Sequence, residues 1–361
     1  MSPPTPRRVV VKVGTGVVAR PDGGLALGRM GALVEQLHDL RSRGIDVLLV
    51  SSGAVGLGAR RLGFNRSQVK GVVDRQACAA AGQGALMAFY DALFQRLGTT
   101  CAQVLLTEED FHFRQRFNNL TATLERLLRL GAVPVLNEND TLSTAELALD
   151  QGPERGSVFG DNDRLSALVA TYLRADLLVL LSNVDAVYTA PPGTEGARPI
   201  RRFTDETHFV EGAASSVGRG GMGSKIDAAR LAARGGVTAV IGSGDDRDVL
   251  RRILDGEAVG TRFDAHPDAQ RLPRRKAWLA FATGSAAATL HINAGARTAL
   301  LERGASLLRV GVVRVEGGFT AGDVVEIVHE GELLARGLAA HAASTPAPAS
   351  PLVHRDHLVL L

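Results

Sequence analysis

Long apolar runs and grouped cysteine or histidine residues are missing from this sequence, and each absence argues against a class of protein. No apolar run approaches the roughly 18 residues of a membrane-spanning helix. The two cysteines, Cys78 and Cys101, lack the spacing of a metal site or a redox pair, and no histidine is grouped with them for metal or nucleophilic catalysis. The sequence therefore disfavours a zinc site or a hydrolase triad and predicts a protein of the reduced cytoplasm.

Lysine is also scarce, because only four of the 41 basic residues are lysines. Lysine carries a compact ammonium group on a flexible stem, whereas the arginine guanidinium is a planar fork. Two of the four lie in segments with several glycines, Lys12 in KVGTG and Lys225 in GGMGSK, and we predict that both are functional. Lys70, which precedes a single glycine, and Lys276 lie outside such segments and are interpreted as surface residues.

The chain of 361 residues is long enough for two domains, and its small net charge of +3 has a definite location. Residues 1–270 contain 31 basic and 31 acidic side chains, while residues 271–361 contain 10 basic and 7 acidic ones. The whole excess therefore lies in the C-terminal quarter of the chain. It is too small to indicate nucleic-acid binding from charge alone.

Six short apolar segments bounded by glycine or polar residues are typical of buried strands. They lie at 8–14, 46–53, 101–106, 132–137, 175–183 and 237–244. Helical patterns lie between and after them, at 27–43, 74–97, 117–130, 161–174, 225–234 and 246–255, with Ser224 as the predicted cap of the helix at 225–234. Strands that are continuously apolar predict an α/β fold, in which a mainly parallel open sheet is sandwiched by helices.

The domain organisation is predicted from changes in composition along the chain. The α/β pattern occupies 1–265, with a loop-rich segment at 185–218. A linker is predicted at 266–276, followed by a small β-rich domain at 277–361 with short strands and glycine turns. Within that domain, 342–351 is predicted to be a flexible excursion.

Glycine-rich and polar clusters follow the predicted strands at their carboxyl ends, where ligands bind in parallel α/β sheets. They are KVGTG (12–16), SSGAVG (51–56), NEND (137–140), FGDND (159–163) and GGMGSK (220–225). SSGAVG is the first part of a small-residue loop, SSGAVGLG, that we predict after the second strand. Each cluster alone is also typical of an ordinary turn or a solvated cap. Together, on one sheet edge, they indicate an active site.

The segment GRGGMGSK (218–225) has the glycine spacing of a P-loop, but Ser224 and Lys225 stand in the reverse order. Its amides and its lysine, at a predicted helix N-terminus, favour an anion. Lysines and glycine loops without a nucleophile or base suit phosphoryl transfer to an acceptor that is already ionised, such as a carboxylate with a pKa near ~4.3. Catalysis then reduces to alignment and to charge neutralisation by lysines, amides and Mg²⁺.

These motifs resemble the amino acid kinase family, and within it the bacterial glutamate 5-kinases that carry a C-terminal PUA domain. The resemblance runs from about residue 9 to beyond 328 and rests on VKVGTG, SSGAVGLG, RQACAAAGQGALM, NENDT, FGDNDRLSA and GGMGSKIDAA. It implies ATP-dependent conversion of L-glutamate to L-glutamyl 5-phosphate, the first step of proline biosynthesis. It also implies feedback inhibition by proline and a homo-oligomer.

The resemblance implies roles for residues at the matching positions. Lys12 and Lys225 neutralise the transferring phosphoryl group, and Asp163 holds both lysines in place. Glutamate is bound by three side chains and two amides, those of Ser52, Asp140 and Asn162 and of Gly53 and Ala54. The ATP site is lined by Lys12, Ser182, Asn183, Arg219, Gly220, Gly221, Met222, Gly223, Ser224 and Lys225.

Two positions depart from the pattern of the family. Asn183 stands where the family usually has aspartate, and Ser224 stands where it often has threonine. The serine keeps the hydroxyl group. The asparagine removes a negative charge near the nucleotide, which affects the expected nucleotide contacts rather than the expected reaction.

Three alternatives stay open at the level of the sequence. A kinase for acetylglutamate or aspartate would share the lysines and the glycine loops, but would lack the NEND and FGDND pair and the C-terminal domain. A nucleoside monophosphate kinase of the same fold would lack that pair as well. In an alternative of another class, the protein binds RNA through its PUA domain, and the charge excess in 271–361 is its one support.

Overall fold

The chain divides into two compact units, Met1–Gln270 and Arg271–Leu361. The computed structural model describes residues 5–20, 22–64, 68–69, 71–107, 109–112, 114–141, 162–204, 207, 221–266, 276, 279–280, 286–345 and 350–361. Most of the predicted linker at 266–276 lies outside those residues, so its bounds stay a prediction.

The first unit is built on an eight-stranded sheet in the order β3-β4-β2-β1-β5-β9-β10-β8. The strands of this unit are β1 (Arg8–Val13), β2 (Asp46–Ser51), β3 (Cys101–Leu106), β4 (Val133–Glu138), β5 (Leu177–Ser182), β6 (Val187–Tyr188), β7 (Pro199–Ile200), β8 (Arg202–Phe203), β9 (Thr238–Ser243) and β10 (Thr261–Phe263). The six strands from β3 to β9 in the sheet are parallel. The prediction of a mainly parallel sheet is therefore confirmed.

Helices connect these strands and cover the sheet. They are α1 (Thr15–Val18), α2 (Leu27–Ser42), α3 (Ala54–Arg61), α4 (Gly71–Arg96), α5 (Glu109–His112), α6 (Arg114–Arg129), α7 (Asn162–Tyr172), α8 (Met222–Arg234) and α9 (Val249–Leu254). β5 is buried along its whole length, and β1 is buried after its first residue. Side chains on both faces of these central strands are covered, which explains why their sequences are continuously apolar. In the part of the chain that the structure describes, none of the helices has the length and apolarity needed to cross a bilayer.

The described part of the predicted loop-rich segment at 185–218 is mostly irregular, but it contains three strands of two residues each. β6 and β7 form a separate antiparallel pair, and β8 joins the edge of the main sheet beside β10. β10 itself runs antiparallel to β9 and was not predicted. Strands of two or three residues are too short to show an apolar periodicity, so the sequence pattern did not reveal them.

The prediction of a loop at SSGAVGLG is also wrong, because α3 begins at Ala54. Gly58 in this helix is required by packing rather than by loop geometry. A Cβ atom on Gly58 would lie 1.7 Å from the carbonyl oxygen of Cys78 in α4, and one on Gly82 would lie 1.9 Å from the carbonyl oxygen of Ala54. The absence of both Cβ atoms therefore lets the backbones of α3 and α4 touch.

We expect Gly58→Ala to destabilise the first unit, since its methyl group meets backbone atoms that cannot move aside without separating the helices. Overpacking of this kind costs about 1–3 kcal/mol, which differential scanning calorimetry detects as a lower Tm. Gly56 in the same helix is the matched control, because a Cβ atom there has no neighbour within 4 Å. Gly56→Ala should be neutral or stabilising, and equal effects of the two variants would contradict the packing argument.

The second unit is β-rich, as predicted. Its elements are β11 (Ala288–Ile292), α10 (Ala294–Arg303), β12 (Val312–Gly317), β13 (Val324–His329), β14 (Glu332–Ala339) and β15 (Val353–Leu360), with a short 3-10 turn at Arg309–Gly311. The strands form one sheet in the order β12-β11-β13-β14-β15 around a core of their own. The side chain of Asn293 caps α10 by accepting a hydrogen bond from the amide of Ala296. Residues 346–349 of the predicted flexible excursion lie outside the described residues.

Candidate active site

Three of the predicted clusters, NEND, SSGAVG and KVGTG, and the predicted nucleotide residues Ser182 and Asn183 lie at the ends of adjacent parallel strands, because β4, β2, β1 and β5 are neighbours in the sheet. Backbone hydrogen bonds join the loops at their carboxyl ends. The amide of Gly14 donates to Leu181 O at 3.2 Å, and the amide of Ser52 donates to Val13 O at 3.2 Å. The loops after β1, β2 and β5 are thus tied together at one edge.

A buried cluster of three charges lies at this edge. Lys12 Nζ is 2.5 Å from Asp163 Oδ1, and Lys225 Nζ is 3.0 Å from Asp163 Oδ2. Lys12 comes from the end of β1, Asp163 from the first turn of α7, and Lys225 from the first turn of α8. The three residues are 3%, 0% and 6% exposed. Two segments that are 150 residues or more apart from Lys12 in the chain therefore meet around one carboxylate.

The pKa of the Asp163 carboxyl group reports the balance of charge in this cluster. Burial alone would raise it, but the charges of Lys12 and Lys225 and their hydrogen bonds lower the pKa to about 2. Asp163 is therefore ionised at neutral pH, and the cluster has a net positive charge. A carboxylate held in this state positions the two ammonium groups and is not suited to act as a general base.

Ser224 does not cap α8, which corrects the prediction from the sequence. The helix begins two residues earlier, at Met222, with Gly221 at the cap position. The Ser224 hydroxyl group lies 2.9 Å from Asp163 Oδ2 and 3.0 Å from Gly221 O. A hydrogen bond from this hydroxyl group to the ionised carboxylate is stronger than one to a neutral group, so Ser224 contributes to the charge cluster.

An amide cluster lies beside the charge cluster. The Asn162 side-chain Nδ2 is surrounded by three acceptors, at 3.2 Å from Ser51 O, 3.1 Å from Ser52 Oγ and 2.9 Å from Asn137 Oδ1. Asn137 Nδ2 donates in turn to Gln83 Oε1 at 2.7 Å. Asn162 Oδ1 is buried and accepts no hydrogen bond from any described residue. The structure thus brings Ser52 and Asn162 together, as the sequence predicted.

Gln83 and Asn137 were not assigned to the site from the sequence. Asn137 belongs to the NEND cluster, but its side chain is buried at the end of β4 instead of facing a ligand directly. Gln83 lies in α4, which is close to Asn137 in space but distant from it in sequence. Its signals are its place in the RQACAAAGQGALM motif and a polar side chain on the partly buried face of an alanine-rich helix.

The remaining predicted residues lie at four places, which are the start of α3, the turn after β4, the end of β5 and the start of α8. Gly53 adopts a left-handed backbone with φ 107°, directly before the N-terminus of α3 at Ala54. Asp140 is half-buried in the turn after β4. Ser182 is buried at the end of β5, and the exposed Asn183 side chain lies near Gly16 in α1. Of the predicted phosphate loop, Gly221, Met222 and Gly223 begin α8, whereas Arg219 and Gly220 lie outside the described residues.

Comparison with known proteins matches this architecture to two families. The model of the amino acid kinase family matches residues 7–243, which contain the parallel strands and the charge cluster. The chain belongs to the amino acid kinase family. A PUA domain model matches residues 288–345 in the second unit. The resemblance that the sequence motifs indicated is therefore confirmed in both parts of the chain.

The relatives within this family share a name and nearly the full length of the chain. The glutamate 5-kinase of Salinispora arenicola (strain CNS-205) is 43% identical, over 98% of both chains. The glutamate 5-kinase of Gloeobacter violaceus (strain ATCC 29082 / PCC 7421) is 45% identical, over 91% of this chain and 88% of the relative. Among solved structures, the UMP kinase from Bacillus anthracis is similar over 72% of this chain and 96% of its own, with 17% identity and a TM-score of 0.46. This last likeness is distant and carries no part of the assignment.

Proposed function

We propose that the protein transfers the γ-phosphoryl group of ATP to the side-chain carboxylate of L-glutamate, giving L-glutamyl 5-phosphate for proline biosynthesis. The observation that carries the proposal is the buried Lys12–Asp163–Lys225 cluster at the edge of the parallel sheet. It provides positive charge in a site of low exposure. The glutamate 5-kinase relatives, at 43% and 45% identity, support the choice of substrate.

The acceptor chemistry explains why a charge cluster is sufficient. A glutamate side chain with a pKa near ~4.3 is ionised at neutral pH, so no base has to remove a proton. The two lysine ammonium groups then stabilise negative charge that develops on the transferring group and on the leaving phosphate. Asp163 fixes their positions, because each ammonium group bonds a different oxygen of the same carboxylate.

The described residues fit a nucleotide phosphate better than they fit a protein-held metal. The N-terminus of α8 presents free backbone amides, with Lys225 buried in its first turn. Within the described ranges, no group of three or more His, Cys, Asp or Glu side chains could hold a metal ion. We propose that Mg²⁺ enters as part of the nucleotide complex, where it would neutralise phosphate charge.

Glutamate recognition is assigned to the amide cluster and to Asp140. Asn162 Oδ1 is a buried acceptor without a donor among the described residues, and such an atom costs about 1–3 kcal/mol when left unpaired. The α-ammonium group of glutamate would supply the donor and, near Asp140, a matching charge. Ser52 and the amides at Gly53 and Ala54 lie at the N-terminus of α3, where an anionic group is favoured.

Acetylglutamate should be a very poor substrate, because acetylation removes the α-ammonium charge and strands the polar groups that receive it. Rejection of a ligand that leaves a buried polar partner unpaired reaches about 10⁴-fold or more. An ATP-dependent assay with glutamate, acetylglutamate and aspartate side by side, with hydroxylamine trapping of the acyl phosphate, measures this directly. Equal turnover of glutamate and acetylglutamate would contradict recognition of the α-ammonium group. The absence of glutamate turnover would contradict the proposed function.

In the same assay Asp140→Ala should raise the KM for glutamate while the KM for ATP changes little. The alternative is that Asp140 only caps the turn after β4. In that case the variant would have a lower Tm, and its folded fraction would keep the wild-type KM for glutamate. Measuring KM and Tm on one preparation separates these outcomes.

Proline is the next ligand that the proposed glutamate site would accept. Proline carries the same α-ammonium and α-carboxylate groups as glutamate, so we propose that it competes for the same site. A homo-oligomer and a cytoplasmic setting stay predictions from the sequence. RNA binding through the PUA domain is not adopted, because its one support is a small excess of 10 basic over 7 acidic residues in 271–361.

A further inference from the structure

The orientation of the Asn137 side chain is fixed by a backbone group. Its Oδ1 accepts a hydrogen bond from the amide of Glu138 at 2.9 Å. A backbone amide can only donate, so the oxygen of the Asn137 carboxamide must be on that side. The NH₂ group of Asn137 is therefore on the other side, where Gln83 Oε1 accepts from it at 2.7 Å.

The orientation of Asn162 is fixed in the same way. Ser51 O is a backbone carbonyl that can only accept, and Asn137 Oδ1 is an acceptor for the reason just given. Both lie within hydrogen-bond distance of Asn162 Nδ2, so the NH₂ group of Asn162 must face them. Asn162 Oδ1 consequently faces away from both, as a buried acceptor without a donor among the described residues.

We propose that Gln83 is a positioning residue for glutamate, acting through Asn137 on Asn162. Gln83 supplies the acceptor that holds Asn137 in one orientation, and Asn137 then holds the carboxamide of Asn162 with its oxygen available for a donor. The inference rests on the proposed function, in which that donor is the α-ammonium group of glutamate. Gln83 lies in α4 and is not part of the charge cluster, so it affects substrate binding and not the chemical step.

Loss of the Gln83 acceptor removes the hydrogen bond of the Asn137 NH₂ group, and leaves only the two hydrogen bonds to Asn137 Oδ1 to hold this side chain in its present orientation. The NH₂ group of Asn137 would then have no partner in its present orientation, and an unpaired buried donor is costly. In the reversed orientation Asn137 would present its NH₂ group to that of Asn162, which disfavours the present orientation of Asn162 as well. The acceptor for the substrate ammonium group is weakened as a result.

The test compares Gln83→Met with Gln83→Glu. Methionine has a similar length and no strong acceptor, whereas glutamate presents an oxygen to Asn137 in either orientation. Gln83→Met should raise the KM for glutamate about three- to tenfold, the effect of about one hydrogen bond, with kcat and the KM for ATP unchanged. Gln83→Glu should restore most of the affinity, and the matched control Gln95→Met, an exposed position of the same helix, should match the wild type.

Glutarate, which is glutamate without its amino group, adds a second comparison as a competitive inhibitor. Because it has no ammonium group, its Ki should be the same for the wild type and Gln83→Met. An unchanged glutamate KM in Gln83→Met, a kcat that falls in place of a KM that rises, or a glutarate Ki that shifts with the glutamate KM would each overturn the inference. A wild-type enzyme that does not phosphorylate glutamate would instead overturn the proposed function itself.

Discussion

Lys225→Met and Lys12→Met should each lower kcat by about 10²- to 10³-fold, the loss that follows removal of one group aimed at transition-state charge. Each variant keeps most of the side-chain volume and removes one ammonium group. The other lysine remains paired with Asp163, so we expect both variants to fold. The KM for glutamate should change far less than kcat, since the missing charge matters most when the phosphoryl group is in transfer.

Lys225→Arg tests the geometry of the charge separately from its sign. The guanidinium group keeps the positive charge, but it is a planar fork that cannot occupy the place of a compact ammonium group 3.0 Å from Asp163 Oδ2. It should therefore rescue turnover poorly. Lys276→Met, at a lysine of the second unit, is the control and should behave as the wild type. Near-normal turnover of Lys12→Met or of Lys225→Met would reject the catalytic role of that lysine.

The sheet could be predicted from the sequence because its central strands are buried on both faces. Their continuous apolar runs gave the parallel arrangement, and the parallel arrangement placed Lys12, Ser52 and Ser182 at one edge. The short strands β6 to β8 and β10 could not be predicted, since their partners and not their own sequences define them.

The errors within the site have one physical origin, which is contact between segments distant in sequence. The glycines of α3 suggested a loop, but Gly58 is required by the carbonyl group of Cys78 in α4. Ser224 suggested a helix cap, but α8 begins two residues earlier and the Ser224 hydroxyl group donates to the carboxylate of Asp163, a residue distant in sequence. Gln83 lies in a motif of the resemblance, but the sequence did not indicate its role, because that role depends on Asn137, 54 residues further along the chain.

Asp163→Asn should be the most damaging single substitution in the first unit. It removes the negative charge that both buried ammonium groups contact, so that their mutual repulsion is no longer offset by it. Breaking a buried charge pair from one side costs about 3–5 kcal/mol, which corresponds to a fall in Tm of roughly 10 °C for a unit of this size. Turnover should fall together with the Tm, because both lysines lose the carboxylate that positions them.

A double variant separates charge balance from packing. Adding Lys12→Met to Asp163→Asn removes one of the two repelling charges, so much of the lost stability should return. Turnover should not return, because the double variant still lacks a lysine and the anchor for the other. If the double variant were less stable than Asp163→Asn alone, repulsion between the lysines would not be the cause of the damage.

The pH dependence of stability gives an independent measure of the Asp163 charge. The lysines lower the pKa of Asp163 from 3.8 to about 2, so its ionised form stabilises the folded state. That contribution, about 2–3 kcal/mol, is fully present above the unfolded pKa and is lost as the pH falls through the folded one. In urea titrations the stability difference between the wild type and Asp163→Asn should therefore be constant from about pH 8 to 5 and shrink below about pH 4. A difference that instead changed between pH 6 and 8 would show that a group other than this carboxylate controls the cluster.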